Sequence, residues 1–381
     1  MHDVIIVGAG PAGSLAARSL AEQKFEVQVL EEHPSPGLPQ HCTGLLTDEV
    51  IKMSGVRPDI YNSVESAEFI FPNGQSITIR SEKPLAHVVD RVDMEVKMAD
   101  AAINAGADYS FSEKYVSHDV GDAVLVDSQL RTHRGKVLIG ADGASSAVAM
   151  TLGENRPKEY VRGIQADVRY TMDEQDCMKI FLGSNVAPGF FAWMIPCGSF
   201  TRIGLCTSWS ANPPSEYLSD ILLRMGMKDK VMKLYSGKIP LGIRPSTYGD
   251  RVILTGDAAG FVKPLSGGGL YPAFKANKHI VEAVSTGLDT DAFYSRDLSE
   301  YGRKCYEDFG RELDRSYFLR KRFKRLSDAD MNKVYDYIKK NDLEPILNEI
   351  DLDHPSELVN RISRNPKAVL SVLPLFLRTI R

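Results

Sequence analysis

Residues 2–31 constrain the fold more than any other part of the chain. In HDVIIVGAGPAGSLAARSLAEQKFEVQVLEE an apolar run, Val4 to Val7, meets Gly8, Gly10 and Gly13 and passes into an Ala-rich stretch that ends near Gln23. A second apolar run, Val27 to Leu30, stops at Glu31. Strand, glycine turn, helix and strand make a βαβ unit, the connection that two parallel strands require. The glycines serve a tight turn, the close approach of a pyrophosphate, and close packing of helix on strand. The helix N-terminus offers its N–H groups to phosphate. Glu31 stands where a ribose 2′-OH arrives, and a carboxylate there disfavours a 2′-phosphate. The stretch reads as a dinucleotide site, and by itself leaves FAD and NAD both open.

Composition narrows the remainder. The chain has 381 residues, 43% apolar and 25% charged, with a formal charge of −4. That is ordinary globular material, long enough for two or three lobes, and its mild acidity gives no support to a nucleic-acid partner. The opening MHDVIIVGAG, without a basic flank or a cleavage site, leads to the expectation of no signal peptide. The longest apolar run, AVLSVLPLFL at 368–377, falls short of the ~20 residues of a spanning helix. Five scattered cysteines without CxxC or histidine at ligand spacing argue against a metal site and a disulfide framework. The expected compartment is cytoplasmic.

Three later segments speak for FAD. DRVDMEVKMADAAINAGA (90–107) is an amphipathic helix opening with Arg91, followed by a short run to Val116. KVLIGADGASSAVAMTLG (136–153) is an apolar strand ending at Asp142-Gly143. RVILTGDAAGFVKPLSGGGLYPAF (251–274) repeats the strand and then gives Gly256-Asp257, Pro264 and three glycines in a row. GxGxxG with its acid, then Asp-Gly, then Gly-Asp, resembles the FAD-binding fold of aromatic hydroxylases and their reductase relatives. That resemblance implies that Asp257 meets the ribityl chain and that Gly267, Gly268, Gly269 and Leu270 bring backbone N–H groups to the pyrimidine edge of the flavin. Negative charge on a reduced flavin is stabilised at such a helix N-terminus.

Between these segments the pattern changes. AEFIFPNGQSITI is a hairpin turning at Asn73-Gly74, and VRGIQADVRYTM, CMKIFLG and FFAWMIPCGSFTRIGLCTS alternate at strand period. PGFFAWMIPCG (188–198) resembles the PxxYxWxFP signature of the geranylgeranyl reductase family: Pro188, Trp193 and Pro196 match, with Phe191 in place of tyrosine and Ile195 in place of phenylalanine. GLPQHCTGLL (37–46) places Cys42 where archaeal members carry a CGEGL-like turn, here continued by Thr43-Gly44-Leu45. The resemblance runs over nearly the whole chain and is of the archaeal digeranylgeranylglycerophospholipid-reducing type.

The resemblance implies a mixed α/β (α+β) architecture: a Rossmann-like FAD-binding domain of the aromatic-hydroxylase type, an antiparallel-sheet substrate domain, and a C-terminal helical region. The expected boundaries are 1–60, 85–155 and 244–290 for the first, 61–84 and 156–243 for the second, and 291–381 for the third. Cofactor contacts are expected from Gly8, Gly10, Ala12, Gly13, Glu31, Cys42, Thr43, Arg91, Val116, Asp142, Gly143, Asp257, Gly267, Gly268, Gly269 and Leu270. Phe191, Trp193 and Pro196 are expected at the substrate. The implied reaction saturates isoprenoid double bonds, with hydride from reduced flavin and a proton from the protein. It calls for a dry apolar pocket, a rigid flavin and one placed proton donor. Cys42 is the catalytic candidate, while His41 and Tyr271 stay open as proton donors.

Alternatives are another prenyl substrate (a quinone, dolichol or chlorophyll-type chain), a monooxygenase on the same fold, or a non-enzymatic flavin module in membrane or redox sensing. The electron donor, ferredoxin or NAD(P)H, leaves no motif. RKRFKRL (320–326) and the apolar C-terminus have two readings of equal standing: peripheral contact with the membrane's inner face, or helices packed on their own domain.

Overall fold

The computed structural model describes residues 1–209, 211–348 and 351–354, so the apolar stretch 368–377 lies outside the described residues. The chain opens with β1 (His2–Val7), α1 (Pro11–Glu22) and β2 (Val27–Leu30), then β3 (Leu45–Leu46), α2 (Asp48–Ser54) and β4 (Ile60–Val64). The hairpin β5 (Ser66–Ile70) and β6 (Ser76–Arg80) leads through β7 (Ala86–Val89) into α3 (Arg91–Ala105). β8 (Asp108–Ser110), β9 (Tyr115–Val120), β10 (Val124–Ser128) and β11 (Thr132–Gly140) precede the short α4 (Ala147–Met150). β12 (Glu159–Val168), β13 (Cys177–Phe181), β14 (Ala192–Pro196) and β15 (Thr201–Ser208) are followed by α5 (Pro214–Arg224) and β16 (Val231–Leu241). β17 (Tyr248–Gly249) and β18 (Val252–Leu254) lead to α6 (Leu270–Thr290), α7 (Ser295–Cys305), a π-turn (Tyr306–Gly310), α8 (Arg311–Phe323), α9 (Asp328–Lys340) and α10 (Glu344–Leu347).

The first sheet has the order β17-β18-β11-β1-β2-β8, with β10 and β9 folded onto β11. β18, β11, β1, β2 and β8 run parallel. Parallel strands are covered by helices on both faces, which is why Val4, Ile5, Ile6, Val29, Leu138, Ile139, Ile253 and Leu254 form unbroken apolar runs with no exposed surface. Pro11 begins α1 at a position where its missing N–H costs nothing.

The second sheet has the order β16-β12-β15-β14-β13-β5-β6, antiparallel except where β13 meets β5. One face, with Ile164, Ala166, Val168, Met194 and Leu205, packs on Leu218, Ile221 and Leu222 of α5. The opposite face, with Ile180, Trp193, Ile195 and Cys206, packs with Phe190, Val262 and Tyr317.

One expectation is corrected. Residues 61–64 do not join the large sheet: β4 pairs with β7, which also pairs with β3, in a separate three-stranded sheet between the lobes. The helices of 291–348 pack on both lobes. Leu298, Tyr301, Phe309 and Leu313 share the core of the first sheet, and Met331 packs with Phe71 and Ile77 of the hairpin. The amphipathic faces of these helices are covered by the two lobes. The basic run 320–326 is partly turned inward as well, since Arg320 and Lys324 both pair with Glu159, at 2.9 and 3.0 Å.

Candidate functional site

The turn from β1 into α1 closes against the end of β11. A Cβ on Gly8 (φ +103°) would lie 2.5 Å from the Ala141 carbonyl oxygen, and one on Gly13 only 2.0 Å from that of Gly8. No atom lies within 4 Å of the place a Cβ on Gly10 would take, so the backbone there faces open space. The Oε2 of Glu31 accepts the Ala9 N–H at 2.8 Å and its Oε1 the His33 N–H at 2.9 Å, fixing the acid at the loop's rim. A carboxylate oxygen has room for a second donor. Asp142 is spent differently: it accepts from Ser146 Oγ (2.5 Å) and from the N–H groups of Ala147 (2.7 Å) and Val148 (3.1 Å), capping α4. Gly143 follows it with φ +72°.

The second wall comes from the chain after β18. A Cβ on Gly256 would stand 3.0 Å from that of Ala12, bringing the Gly-Asp turn onto α1. No hydrogen bond reaches the Asp257 carboxyl among the described residues. Burial pushes its pKa up to about 6, against the pull of Arg91, Arg244 and His41 nearby. A Cβ on Gly269 would sit 2.7 Å from Asp257 Oδ1, so a side chain there would crowd the carboxyl. The loop is braced by Lys263 N–H to the Gly268 carbonyl (3.0 Å) and Gly267 N–H to the Lys263 carbonyl (2.8 Å). Gly269 caps α6 with no side chain on the first-turn amides, and the residue after Leu270 and Tyr271 is Pro272. That end of α6 presents unfilled donors.

The third wall is residues 41–44, each pinned by a different strand. His41 Nδ1 is bonded to the Ser236 carbonyl of β16 (2.8 Å). Gln165 Nε2 on β12 donates to the Cys42 carbonyl (2.9 Å), and Arg202 Nη1 on β15 to the Thr43 carbonyl (2.5 Å). Val89 N–H on β7 donates to the Gly44 carbonyl (2.8 Å). Arg202, 1% exposed, is gripped by Asp167 at 2.7 and 3.1 Å, and Tyr235 donates to the same carboxylate at 3.0 Å. Arg91 lies between Cys42 and Glu95 and is bonded to Glu95.

The inner sheet face closes the site. A Cβ on Gly267 would stand 3.1 Å from Ile239 Cδ1 and 3.6 Å from Phe190 Cζ, so the glycine loop touches the second sheet. Phe190 stacks on Phe191 (4.5 Å), and Phe191 meets Trp193 edge-on (6.1 Å). Gly204 lies between Gln165 and Trp193 in register, and both side chains lean over it. Pro196 ends this strand, its carbonyl bonded by Asn62 Nδ2 at 3.0 Å.

Val116 is exposed on β9, which pairs only with β10. The Tyr271 hydroxyl is bonded to His354 Nε2 at 2.9 Å, its ring in the cluster of Leu46, Val50 and Phe274. Sequence reasoning missed Gln165, Asp167 and Arg202. For Gln165 and Asp167 the signal was two polar residues two apart on β12, which a strand reading assigns to solvent; Arg202, on β15, gave no comparable signal.

Residues 1–222 match the model of the family described as the FAD binding domain. The chain belongs to that family. Its residues fit the cofactor: an open backbone at Gly10, an acid at the ribose position, a deep carboxyl without a hydrogen bond at Asp257, and unfilled amides at α6. FAD is therefore the cofactor of this FAD-binding protein. It is similar to an uncharacterized protein of Methanocaldococcus jannaschii, 29% identical over 96% of this chain and 95% of the relative. It is also similar to a digeranylgeranylglycerophospholipid reductase of the same organism, 26% identical over 94% and 97%. Among solved structures, a geranylgeranyl bacteriochlorophyll reductase-like protein of Thermoplasma acidophilum shares the fold, with TM-score 0.85 and 22% identity over 98% and 99% of the two chains. Among the described residues, none of the helices is long and apolar enough to cross a membrane, and His, Cys, Asp and Glu side chains form no metal-holding group.

Proposed function

We propose that this protein is an FAD-dependent reductase that saturates the C=C bonds of geranylgeranyl or similar isoprenoid chains, with archaeal-type membrane phospholipids as the favoured substrate class. The observation that carries this reading is the contact of the glycine loop at Gly267 with Ile239 and Phe190, which turns the flavin platform toward an apolar sheet face. When bound, the flavin supplies hydride from its N5. The chain's own residues do the rest. The first turn of α6 stabilises negative charge at the pyrimidine edge. Phe191, Trp193, Ile180 and Ile195 exclude water and fit an unpolarised chain. The four-strand grip on residues 41–44 holds Cys42 rigidly beside that face, where its thiol positions the alkene or passes it a proton.

Relatives named digeranylgeranylglycerophospholipid reductase, aligned over almost the full length, support the same substrate class. The electron donor belongs to the proposal as ferredoxin or a transiently bound NAD(P)H. The test is anaerobic: the purified yellow protein is chemically reduced, mixed with an unsaturated archaeal-type phospholipid, and the lipid is weighed by mass spectrometry. Gain of hydrogen in pairs with return of the oxidised flavin spectrum is expected. A reduced flavin that no polyprenyl lipid reoxidises sinks the reading, and hydroxylated product in an aerobic repeat would replace it with a monooxygenase.

A further inference from the structure

The free edge of the second sheet carries surface chemistry that the reaction does not use. β16 is its last strand, paired with β12 on one side only. With the end of α5 it forms LRMGMKDKVMKL, residues 223–234, which holds four cations, Arg224, Lys228, Lys230 and Lys233, against the single acid Asp229. The chain as a whole has a formal charge of −4. Four apolar side chains in this segment stand in solvent: Leu223 is 64% exposed, Val231 37%, Met232 44% and Leu234 61%.

Another β-strand is a poor occupant for this edge. The register against β12 slips between Asp167 and Val168, leaving Met232 without a partner, and the Ser236 carbonyl further along is taken by His41. A bulged and partly covered edge does not template a second strand. Apolar tips interleaved with lysines suit a lipid surface, where the tips enter the headgroup boundary and the ammonium groups meet phosphate. The same strand anchors His41, the neighbour of Cys42, so the patch is continuous with the site.

We propose that residues 223–234 dock the protein on an anionic bilayer, with the β16 rim as the side on which a prenyl chain leaves the lipid for the inner sheet face. The entry role rests on the reductase reading above; docking is measured without it. The probe is full-length, flavin-loaded protein sedimented with phosphatidylcholine vesicles, with or without phosphatidylglycerol. Wild type is expected to sediment with the anionic vesicles alone and to be released by salt.

Lys228→Glu/Lys230→Glu/Lys233→Glu is expected to lower partitioning at least about tenfold. Leu223→Ser/Met232→Ser/Leu234→Ser lowers it as well. Both keep wild-type flavin absorbance, melting temperature and activity on a detergent-dispersed lipid. Wild type that ignores anionic vesicles, or variants that sediment like wild type, overturns the proposal. Vesicle binding by a protein that reduces no prenyl lipid upholds the docking surface and sinks the reaction; reduction in detergent without vesicle binding does the reverse.

Discussion

Gln165 donates its Nε2–H to the Cys42 carbonyl across 2.9 Å, joining the second sheet to the loop of residues 41–44. Gln165→Leu leaves that carbonyl unsatisfied at a loss of about 1–3 kcal/mol. Urea denaturation is expected to show the loss, and prenyl reduction to fall while flavin content holds. An unchanged midpoint and rate would show the bond to be idle.

Cys42→Ser tests the thiol itself. Flavin content and melting temperature are expected to stay at wild-type values while alkene reduction drops about 10²-fold or more, the scale of a lost proton-transfer group. Single-turnover reoxidation of reduced flavin by the lipid gives the rate, and a wild-type rate removes Cys42 from the chemistry.

The ion pair of Asp167 with Arg202 is a supporting strut. Asp167→Ala strands a guanidinium that is 1% exposed, and a loss of about 3–5 kcal/mol is expected from breaking such a pair. Asp167→Leu/Arg202→Met removes both charges and recovers most of it, because no ion is then left unpaired in the interior. Denaturant midpoints of the single and double variants decide the point.

Asp257 gives the apoprotein a pH signature. Its folded pKa, about 6, lies above the value in an unfolded chain, so the folded state holds the proton longer. Its contribution is fully present below about pH 4 and is lost as pH rises toward 6. Asp257→Asn is expected to be the more stable apoprotein above about pH 7, by at most about 3 kcal/mol, with the advantage gone near pH 4. Melting curves across pH measure this. The same variant binds FAD more weakly if the carboxyl serves the ribityl chain.

Gly269→Ala places a methyl 2.7 Å from Asp257 Oδ1, between the two walls of the cofactor site. The fold is expected to survive, since the α6 backbone needs no glycine there (φ −100°). FAD affinity is expected to fall at least about tenfold, equivalent to about 1.4 kcal/mol. Flavin retained after gel filtration, with circular dichroism as the fold control, measures it.

The local patterns were legible because they depend on neighbours in the chain. Apolar runs with glycines between them marked β1, α1 and β2, and Asn73-Gly74 marked the hairpin. The strands of the large antiparallel sheet were legible from their alternation, but the meaning of their faces was not. In β12, Ile164, Ala166 and Val168 alternate with Gly163, Gln165 and Asp167, which marks two faces without saying what each of them meets. The apolar set does pack on α5, but the polar set is turned toward the flavin lobe, where Gln165 and the Asp167–Arg202 pair grip residues 42–43. A strand pattern records polarity, and a polar face can meet protein donors and acceptors as readily as water.

The carboxylates teach the same lesson. Asp142 and Asp257 follow similar apolar strands, yet one caps the next helix and the other is left without a hydrogen bond in the site.

By itself the sequence determined the βαβ dinucleotide unit, the presence of a second sheet and the glycine loop before α6, because turn chemistry and periodicity are local. Only the tertiary structure decided that β4 leaves the large sheet, that the C-terminal helices close over both lobes, and that four strands converge on residues 41–44. Those choices turn on which distant surfaces fit and which buried donors and acceptors can be satisfied together, and spacing along a chain does not encode that.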